Sequence, residues 1–263
     1  MEPKLVFLGT GYDSIVVGKQ LCASGGIVLQ VDDNQLMIDP GPGAIVRAKQ
    51  YGINIRDTDA ILVSSNNLFQ CNDVNVIIDA MTVGGLDKKG VLLCYDRVVE
   101  QGIVLGKYLN NVERVILMEE GKRIGVNDIE IIALPVKNYD GVGFKIHTSY
   151  FNMIYSGHTD FDNSILEEYK NTDLLVLNVT SPTEWKEKGH LSTEDAIKVV
   201  NYVKPKLTII TGYSIKMLES DPINEARIIQ RETHCQTIAA KDGMVLTPMS
   251  YSVHLSQTNL KYF

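Results

Sequence analysis

Short apolar β-type runs alternate with helical patterns along this 263-residue chain, and neither a linker nor a low-complexity tract interrupts them. Runs of this length, bounded by turn residues, predict strands, and apolar residues repeating every three to four positions predict helices. The predicted strands are residues 5–8, 26–31, 35–38, 61–63, 91–95, 114–118, 129–134, 143–147, 152–155, 174–177, 207–211 and 244–247. The predicted helices are residues 44–50, 73–82, 192–203 and 222–233.

The order of these elements predicts the fold class. The first half is rich in hairpins and the second half alternates strand with helix, which favours an α/β fold of two mixed sheets packed face to face with helices outside. With 44% hydrophobic residues the chain can fill a large core. We expect one domain over residues 1–263, with 250–263 as an apolar tail that docks on it.

Local signals support individual elements. Ser192 and Asp195 have the spacing of a capping box at the start of a helix. Asp32 and Asp33 precede Asn34 in a tight hairpin turn between two strands. Asp73 is expected to cap the helix that follows it.

Composition excludes several classes of function. The net charge of −7 and the pI of about 5.3 argue against broad attraction to nucleic acid or to a membrane surface. No apolar run approaches the roughly 20 residues that span a bilayer. The four cysteines are scattered without a C-x-x-C pair, as expected for free thiols in a reducing cytoplasm.

A polar stretch follows the strand at 61–63 and leads into the helix at 73–82; residues 59–81 read DAILVSSNNLFQCNDVNVIIDAM. Other strand ends carry short motifs. In chain order these are LGTG (8–11), IDPGPG (38–43), PVKN (135–138), YSGHTD (155–160), GHLS (189–192) and LTIITGYS (207–214). Each is weak alone, but together and in this order they resemble the metallo-β-lactamase superfamily, in particular its ribonuclease Z-like branch.

The resemblance implies an αββα sandwich with a pocket at one edge between the sheets. It also implies a two-metal centre built from five histidines and two aspartates, with a bridging water or hydroxide as the nucleophile. The matching positions in this chain are Ser65, Asn67, Phe69, Gln70, Asn138, His158 and Gly212. Of these side chains only that of His158 coordinates transition metals well. The sequence therefore predicts a degenerate member without the binuclear site.

The pattern of replacement is consistent across the pocket. Carboxylates that lose their metal ions become unpaired buried charges, which are costly. Both carboxylate positions are changed, to Phe69 and His158, and we expect Phe69 to fill vacated volume. We expect the remaining polar residues to hydrogen-bond as neutral groups.

Two histidines remain as catalytic candidates. His190 matches a family residue to which the resemblance assigns proton donation or oxyanion stabilisation, although retention for local packing explains it equally simply. His158 can pair with His190 across the cavity. Together with Asp160 or Cys71 they can hold at most one transition metal at a relocated site, and no other cofactor is expected.

Asp39 and Cys71 have plainer interpretations. The resemblance places Asp39 beside the first histidine pair, and without those histidines we expect it to cap the neighbouring turn. Cys71 is expected at the N-terminus of a helix, a position that would lower its thiol pKa. The alternative is that Cys71 is a buried, inert thiol.

Three functions remain open. The first is a non-catalytic protein that binds a partner or ligand, as a homodimer or beside an active homologue. The second is a hydrolase of altered chemistry that uses His158 and His190, with one metal or none, on a phosphodiester- or ester-type substrate. The third is a sensor whose small ligand occupies the old substrate cleft. We expect a cytoplasmic protein without membrane contact. Transfer RNA is not an expected ligand, because the sequence has few clusters of basic residues.

Overall fold

Two mixed β-sheets face each other in the computed structural model, which describes residues 2–251. The first sheet consists of β1 (Lys4–Phe7), β2 (Ile27–Val31), β3 (Asn34–Ile38), β4 (Ala60–Val63), β5 (Val91–Tyr95), β6 (Arg114–Met118) and β15 (Val245–Leu246). The strand order is β15-β1-β2-β3-β4-β5-β6. The β1–β2–β3 meander is antiparallel, whereas β3 to β6 run parallel.

The second sheet has the same mixed character. It consists of β7 (Arg123–Val126), β8 (Ile129–Leu134), β9 (Gly143–His147), β10 (Asn152–Tyr155), β11 (Leu174–Ser181), β12 (Leu191–Ser192), β13 (Leu207–Thr211) and β14 (Thr237–Ala239). The order is β14-β13-β11-β10-β9-β8-β7, and β12 pairs with the end of β11. Strands β7, β8, β9 and β10 pair in that order, each antiparallel to the next. Strands β10, β11, β13 and β14 pair in that order and run parallel.

Helices cover the outer faces of both sheets. They are α1 (Ser14–Gly18), α2 (Ala44–Gln50), α3 (Leu68–Cys71), α4 (Val74–Met81), α5 (Asp96–Glu100), α6 (Gly106–Leu109), α7 (Asn163–Leu166), α8 (Thr193–Val203), α9 (Ile215–Glu219) and α10 (Pro222–Thr233). One apolar cluster lies between the sheets, a second lies between the first sheet and its helices, and a third lies between the second sheet and its helices. This layering confirms the predicted αββα sandwich.

Most predicted elements have the expected position. The strands at 91–95, 114–118 and 129–134 and the helices at 44–50 and 222–233 agree in both bounds. The capping box at the start of α8 and the hairpin turn between β2 and β3 are confirmed. Within residues 2–251 no helix is both long and apolar enough to cross a bilayer. Beyond Tyr251 the predicted docked tail lies outside the described residues.

The prediction for Asp73 is wrong in its chemistry. Asp73 does stand at the N-cap of α4, but its side chain makes no capping hydrogen bond there. Its Oδ2 instead accepts from the backbone N–H of Ile45 at 3.2 Å, and its Oδ1 accepts from the Asn72 amide. The carboxylate therefore ties α4 to the start of α2 instead of satisfying its own helix.

Asp242 holds the loop that follows β1. Its Oδ1 accepts from the backbone N–H and the hydroxyl of Thr10, at 2.9 and 2.8 Å. Its Oδ2 accepts from the backbone N–H of Ala23 at 2.6 Å. The loop it holds also bonds to the end of β13, because the N–H of Tyr12 donates to the carbonyl of Tyr213. Asp242 thus supports a connection between the two sheets.

We expect Asp242→Ala to lower the free energy of unfolding by about 2 kcal/mol, because charge-assisted bonds are lost and the donors of the buried residues Thr10 and Ala23 are left without an acceptor. Chemical denaturation measures the change. The neighbouring Lys241→Ala is the control, since Lys241 is exposed. A change for Asp242→Ala no larger than that for the control would contradict this assignment.

Candidate functional site

Loops from both sheets converge at one edge of the sandwich. Ser65 forms an isolated bridge with Gly141, and Gly11 forms another with Tyr213. These bridges join the loops after β4 and β8, and the loops after β1 and β13, across the gap between the sheets. Most of the motif residues singled out in the sequence lie at strand ends or on the adjoining loops, and Phe69 and Gln70 lie on α3. The sandwich therefore brings distant motifs to one place.

The two candidate histidines are in direct contact. His158 Nδ1 and His190 Nδ1 lie 3.0 Å apart, and the residues are 3% and 6% exposed. Burial lowers the pKa of both rings, and the neighbouring His190 lowers that of His158 further. Both imidazoles are therefore neutral near pH 7, so one Nδ1–H donates and the other Nδ1 accepts.

Two tyrosine rings pack against this pair, and Phe69 packs against one of them. The Tyr12 ring centroid lies 4.2 Å from that of His158, 5.1 Å from that of His190 and 5.4 Å from that of Phe69. The Tyr139 ring lies 5.3 Å from His158 and 5.5 Å from His190. We call these five residues, Tyr12, Phe69, Tyr139, His158 and His190, the ring cluster. Their spacing is that of ordinary aromatic packing.

Asp39 bonds to the start of the turn that follows the neighbouring strand β4. Its Oδ1 accepts from the backbone N–H of Ser64 at 2.6 Å, and its Oδ2 accepts from the Ser64 and Tyr155 hydroxyls, each at 2.6 Å. Tyr155 in turn accepts from the Asn178 amide at 3.0 Å. Burial raises the pKa of Asp39 to about 6 in spite of these bonds. The carboxyl thus joins a buried polar network that links the two sheets.

The polar residues of the loop after β4 hydrogen-bond mainly among themselves. Ser65 Oγ donates to Gln70 Oε1 at 3.3 Å and accepts from the backbone N–H of Asn67 at 3.2 Å. Asn67 Oδ1 caps α3 through the N–H of Phe69. The side chains at these positions are neutral. Their hydrogen bonds hold the short helix α3, which places the Phe69 ring against that of Tyr12.

The interpretation of Cys71 as a residue of a helix N-terminus is wrong. Cys71 is the last residue of α3, and its thiol donates to the carbonyl of Asn67 at 3.0 Å. Burial raises its thiol pKa to about 12. An inert buried thiol, the alternative drawn from the sequence, agrees with this environment.

Asn138 faces an open cleft beside the ring cluster. Its Nδ2 donates to Asp160 Oδ2 at 2.6 Å. Asp160 is 7% exposed, and its Oδ1 is buried without a hydrogen-bond partner among residues 2–251. The cleft has a volume of about 670 Å³. Its lining residues are Asn66, Asn67, Asn138, Tyr139, Asp140 and Lys188.

Gly212 lies on the other side of the ring cluster, against a small cavity of about 30 Å³ that also borders Asp39, Phe69, Gln70 and His158. That volume accommodates about two water molecules. Gly212 has a φ of +73°, and a Cβ added there would lie 2.6 Å from Asn178 Oδ1. The backbone and its neighbour thus favour glycine at this position.

The side chains at the seven matching positions form a poor donor set for transition metals. Ser65, Asn67, Gln70 and Asn138 offer neutral oxygens and amides, and only His158 offers an imidazole. Within residues 2–251 no three His, Cys, Asp or Glu side chains group closely enough to hold a metal ion. The single-ion set of His158 and His190 with Asp160 or Cys71 is therefore not assembled.

Sequence reasoning missed residues that complete the site. Tyr12 follows the LGTG motif directly and Tyr139 follows PVKN directly, so an aromatic residue beside a motif was the available signal. Asn178 carried no comparable signal, and Tyr155 was singled out only as the first residue of the YSGHTD motif. Tyr155 bonds to Asp39 across the sheets, and Asn178 bonds to the Tyr155 hydroxyl.

Known folds define the class of this architecture. The metallo-β-lactamase fold protein YhfI from Bacillus subtilis matches with a TM-score of 0.80 at 16% identity, over 94% of this chain and 99% of that one. The short form of human tRNase Z matches with a TM-score of 0.68 at 14% identity, over 92% and 98% of the two chains. At such identities these likenesses show the fold alone.

Sequence comparison shows the family. The model of the beta-lactamase superfamily domain matches residues 34–213. An uncharacterized protein of Methanocaldococcus jannaschii is 31% identical over 253 residues, which cover 93% of this chain and 94% of that protein. The chain belongs to the metallo-β-lactamase superfamily.

Proposed function

We propose that this chain is a degenerate member of the ribonuclease Z-like branch, which has lost the binuclear metal site and acts by binding a ligand or partner instead of by catalysis. The observation that carries the proposal is the ring cluster. Aromatic and imidazole rings pack where the resemblance implies metal ions and their ligands, and the cavity beside them is about 30 Å³. That space accommodates water and no substrate group.

The protonation states support this proposal. A site emptied of divalent cations must shed negative charge, since unpaired buried carboxylates are costly. Phe69 and His158 stand at the two carboxylate positions, and His158 is held neutral by burial. The changes are mutually consistent, because the replacements pack against one another through Tyr12.

The open cleft lined by Asn138 and Tyr139 is the surface that we assign to binding. Its volume of about 670 Å³ suits a small molecule or a short segment of another protein. A second copy of this chain and an active homologue are both candidate partners. The protein is proposed to act in the cytoplasm without a resident cofactor.

A second candidate function is a hydrolase of altered chemistry that acts on a phosphodiester or ester. The contact between His158 and His190 favours it, because a neutral imidazole is a competent general base. Against it, both rings are buried and their Nδ1 atoms are committed to each other. Only the Nε2 of the ring that donates its Nδ1–H keeps a free lone pair, and a substrate proton would have to reach that atom inside the buried pair.

Turnover measurements distinguish the two candidates. We expect no hydrolysis of bis(p-nitrophenyl) phosphate or of p-nitrophenyl acetate above the rate without protein, either with or without added zinc or manganese. His158→Ala and His190→Ala serve as matched variants. Turnover that both variants abolish would refute the binding proposal and establish the hydrolase.

A further inference from the structure

The carboxylate of Asp160 is the least satisfied group beside the ring cluster. Asn138 covers one of its oxygens, whereas Oδ1 is buried and has no donor among residues 2–251. A carboxylate held in this way is costly unless a donor completes it. The hydroxyl of Tyr139, which neighbours Tyr12 and Ser65, likewise makes no hydrogen bond of good geometry to a described residue. Asp160 thus lies directly behind Asn138, a lining residue of the cleft, and its Oδ1 lacks a donor there.

Charge around the ring cluster is predominantly negative. The negative charges of Glu187 and Asp160 partly offset the lowering of the His190 pKa, and those of Glu187 and Asp13 contribute to the raised pKa of Tyr12. Both histidines are neutral, so the ring cluster itself contributes no positive charge. Lys188 is exposed on the cleft wall, and the charge of Arg97 is paired with that of the cleft residue Asp140. The missing component at Asp160 is therefore a cation that donates hydrogen bonds.

We propose that the cleft binds an organic cation with N–H donors, a primary alkylammonium or a guanidinium. Its N–H group donates to Asp160 Oδ1, and the face of Tyr139, which lines the cleft, supplies a cation–π contact. The exposed Asn138 side chain covers the carboxylate, and the ligand displaces it on entry. This inference rests on the proposed function, because a metal pair beside Asp160 would itself supply the positive charge.

Thermal unfolding with butylammonium chloride tests the proposal. We expect butylammonium to raise the Tm of the wild-type protein in a saturable manner, since a ligand that binds the native state stabilises it. Sodium butyrate and butanol at matched ionic strength should leave the Tm unchanged. Asp160→Asn should abolish the shift while keeping or raising the ligand-free Tm.

Asp128→Asn is the matched control, because it removes the same charge from an exposed residue in the turn between β7 and β8, outside the cleft lining. It should retain the shift. Absence of a shift in the wild type, or a shift that persists in Asp160→Asn, would overturn the proposal. If Asp160→Asn does not fold, a wild-type crystal soaked in butylammonium decides. A nitrogen beside Oδ1 supports the proposal, and an ordered water there refutes it.

These outcomes separate this inference from the proposed function. If the protein is metal-free and butylammonium does not change its Tm, the cation site is refuted and the proposed loss of the metal centre is unaffected. Protein that carries two metal ions per chain refutes both.

Discussion

Replacing Gly212 with histidine, the residue that the family resemblance implies there, is expected to lower the free energy of unfolding by about 3 kcal/mol. A non-glycine residue in left-handed backbone costs roughly 1–2 kcal/mol, and forced overpacking adds about 1–3 kcal/mol. Both penalties apply, because the φ is +73° and the new Cβ would lie 2.6 Å from Asn178 Oδ1. Urea denaturation measures the loss.

Gly121→His is the matched control. Gly121 has a φ of +79°, but a Cβ added there meets nothing within 4 Å. This variant carries the backbone penalty without the collision, so we expect about 1–2 kcal/mol. Zinc should not rescue Gly212→His, because the other ligand positions remain substituted. Equal losses in the two variants, or a rise in Tm on adding zinc to Gly212→His, would contradict the account.

The second large effect concerns pH. Burial raises the pKa of Asp39 to about 6, from 3.8. The native state therefore holds a proton that the unfolded chain releases. The resulting stability is fully present below about pH 4 and is lost as the pH rises through about 6. At 1.36 kcal/mol per pKa unit the loss is about 3 kcal/mol.

Asp39→Asn removes this titration. We expect its free energy of unfolding, relative to the wild type, to rise by about 3 kcal/mol between pH 4 and pH 8. The two histidines titrate in the opposite sense, because their lowered pKa values withdraw stability as the pH falls below 6.5. They are common to both proteins, so the difference isolates Asp39.

Asp33→Asn is the control, since it removes an exposed carboxylate from the hairpin turn. Its pH dependence should parallel that of the wild type. A constant difference between Asp39→Asn and the wild type across this range would show that Asp39 is ionised throughout. The buried network would then need another explanation.

Most of the architecture could be predicted from the sequence because strand runs and helical periodicity are local properties. The exceptions have local causes as well. β7 was not predicted, because it contains a glycine and only two apolar residues. β11 was predicted to end at residue 177 but extends through polar residues to Ser181, at the end where the site lies. β14 is only three residues long and is paired by its neighbour.

The site was partly predictable. His158 and His190 were expected to meet because their motifs flank one pocket in the resembling family, and they do. The role of Asp39 was not predictable, since its partner Tyr155 is 116 residues away and approaches only when the sheets pack. Cys71 was misplaced because residues 68–71 form a separate short helix ahead of α4.

The metal content of the purified protein tests the central claim most directly. Protein prepared without chelators and desalted thoroughly is analysed by elemental mass spectrometry. We expect zinc, iron and manganese far below one ion per chain, because the seven positions offer a single imidazole among them. Two tightly bound ions per chain would contradict it and would return the protein to the catalytic members of its superfamily.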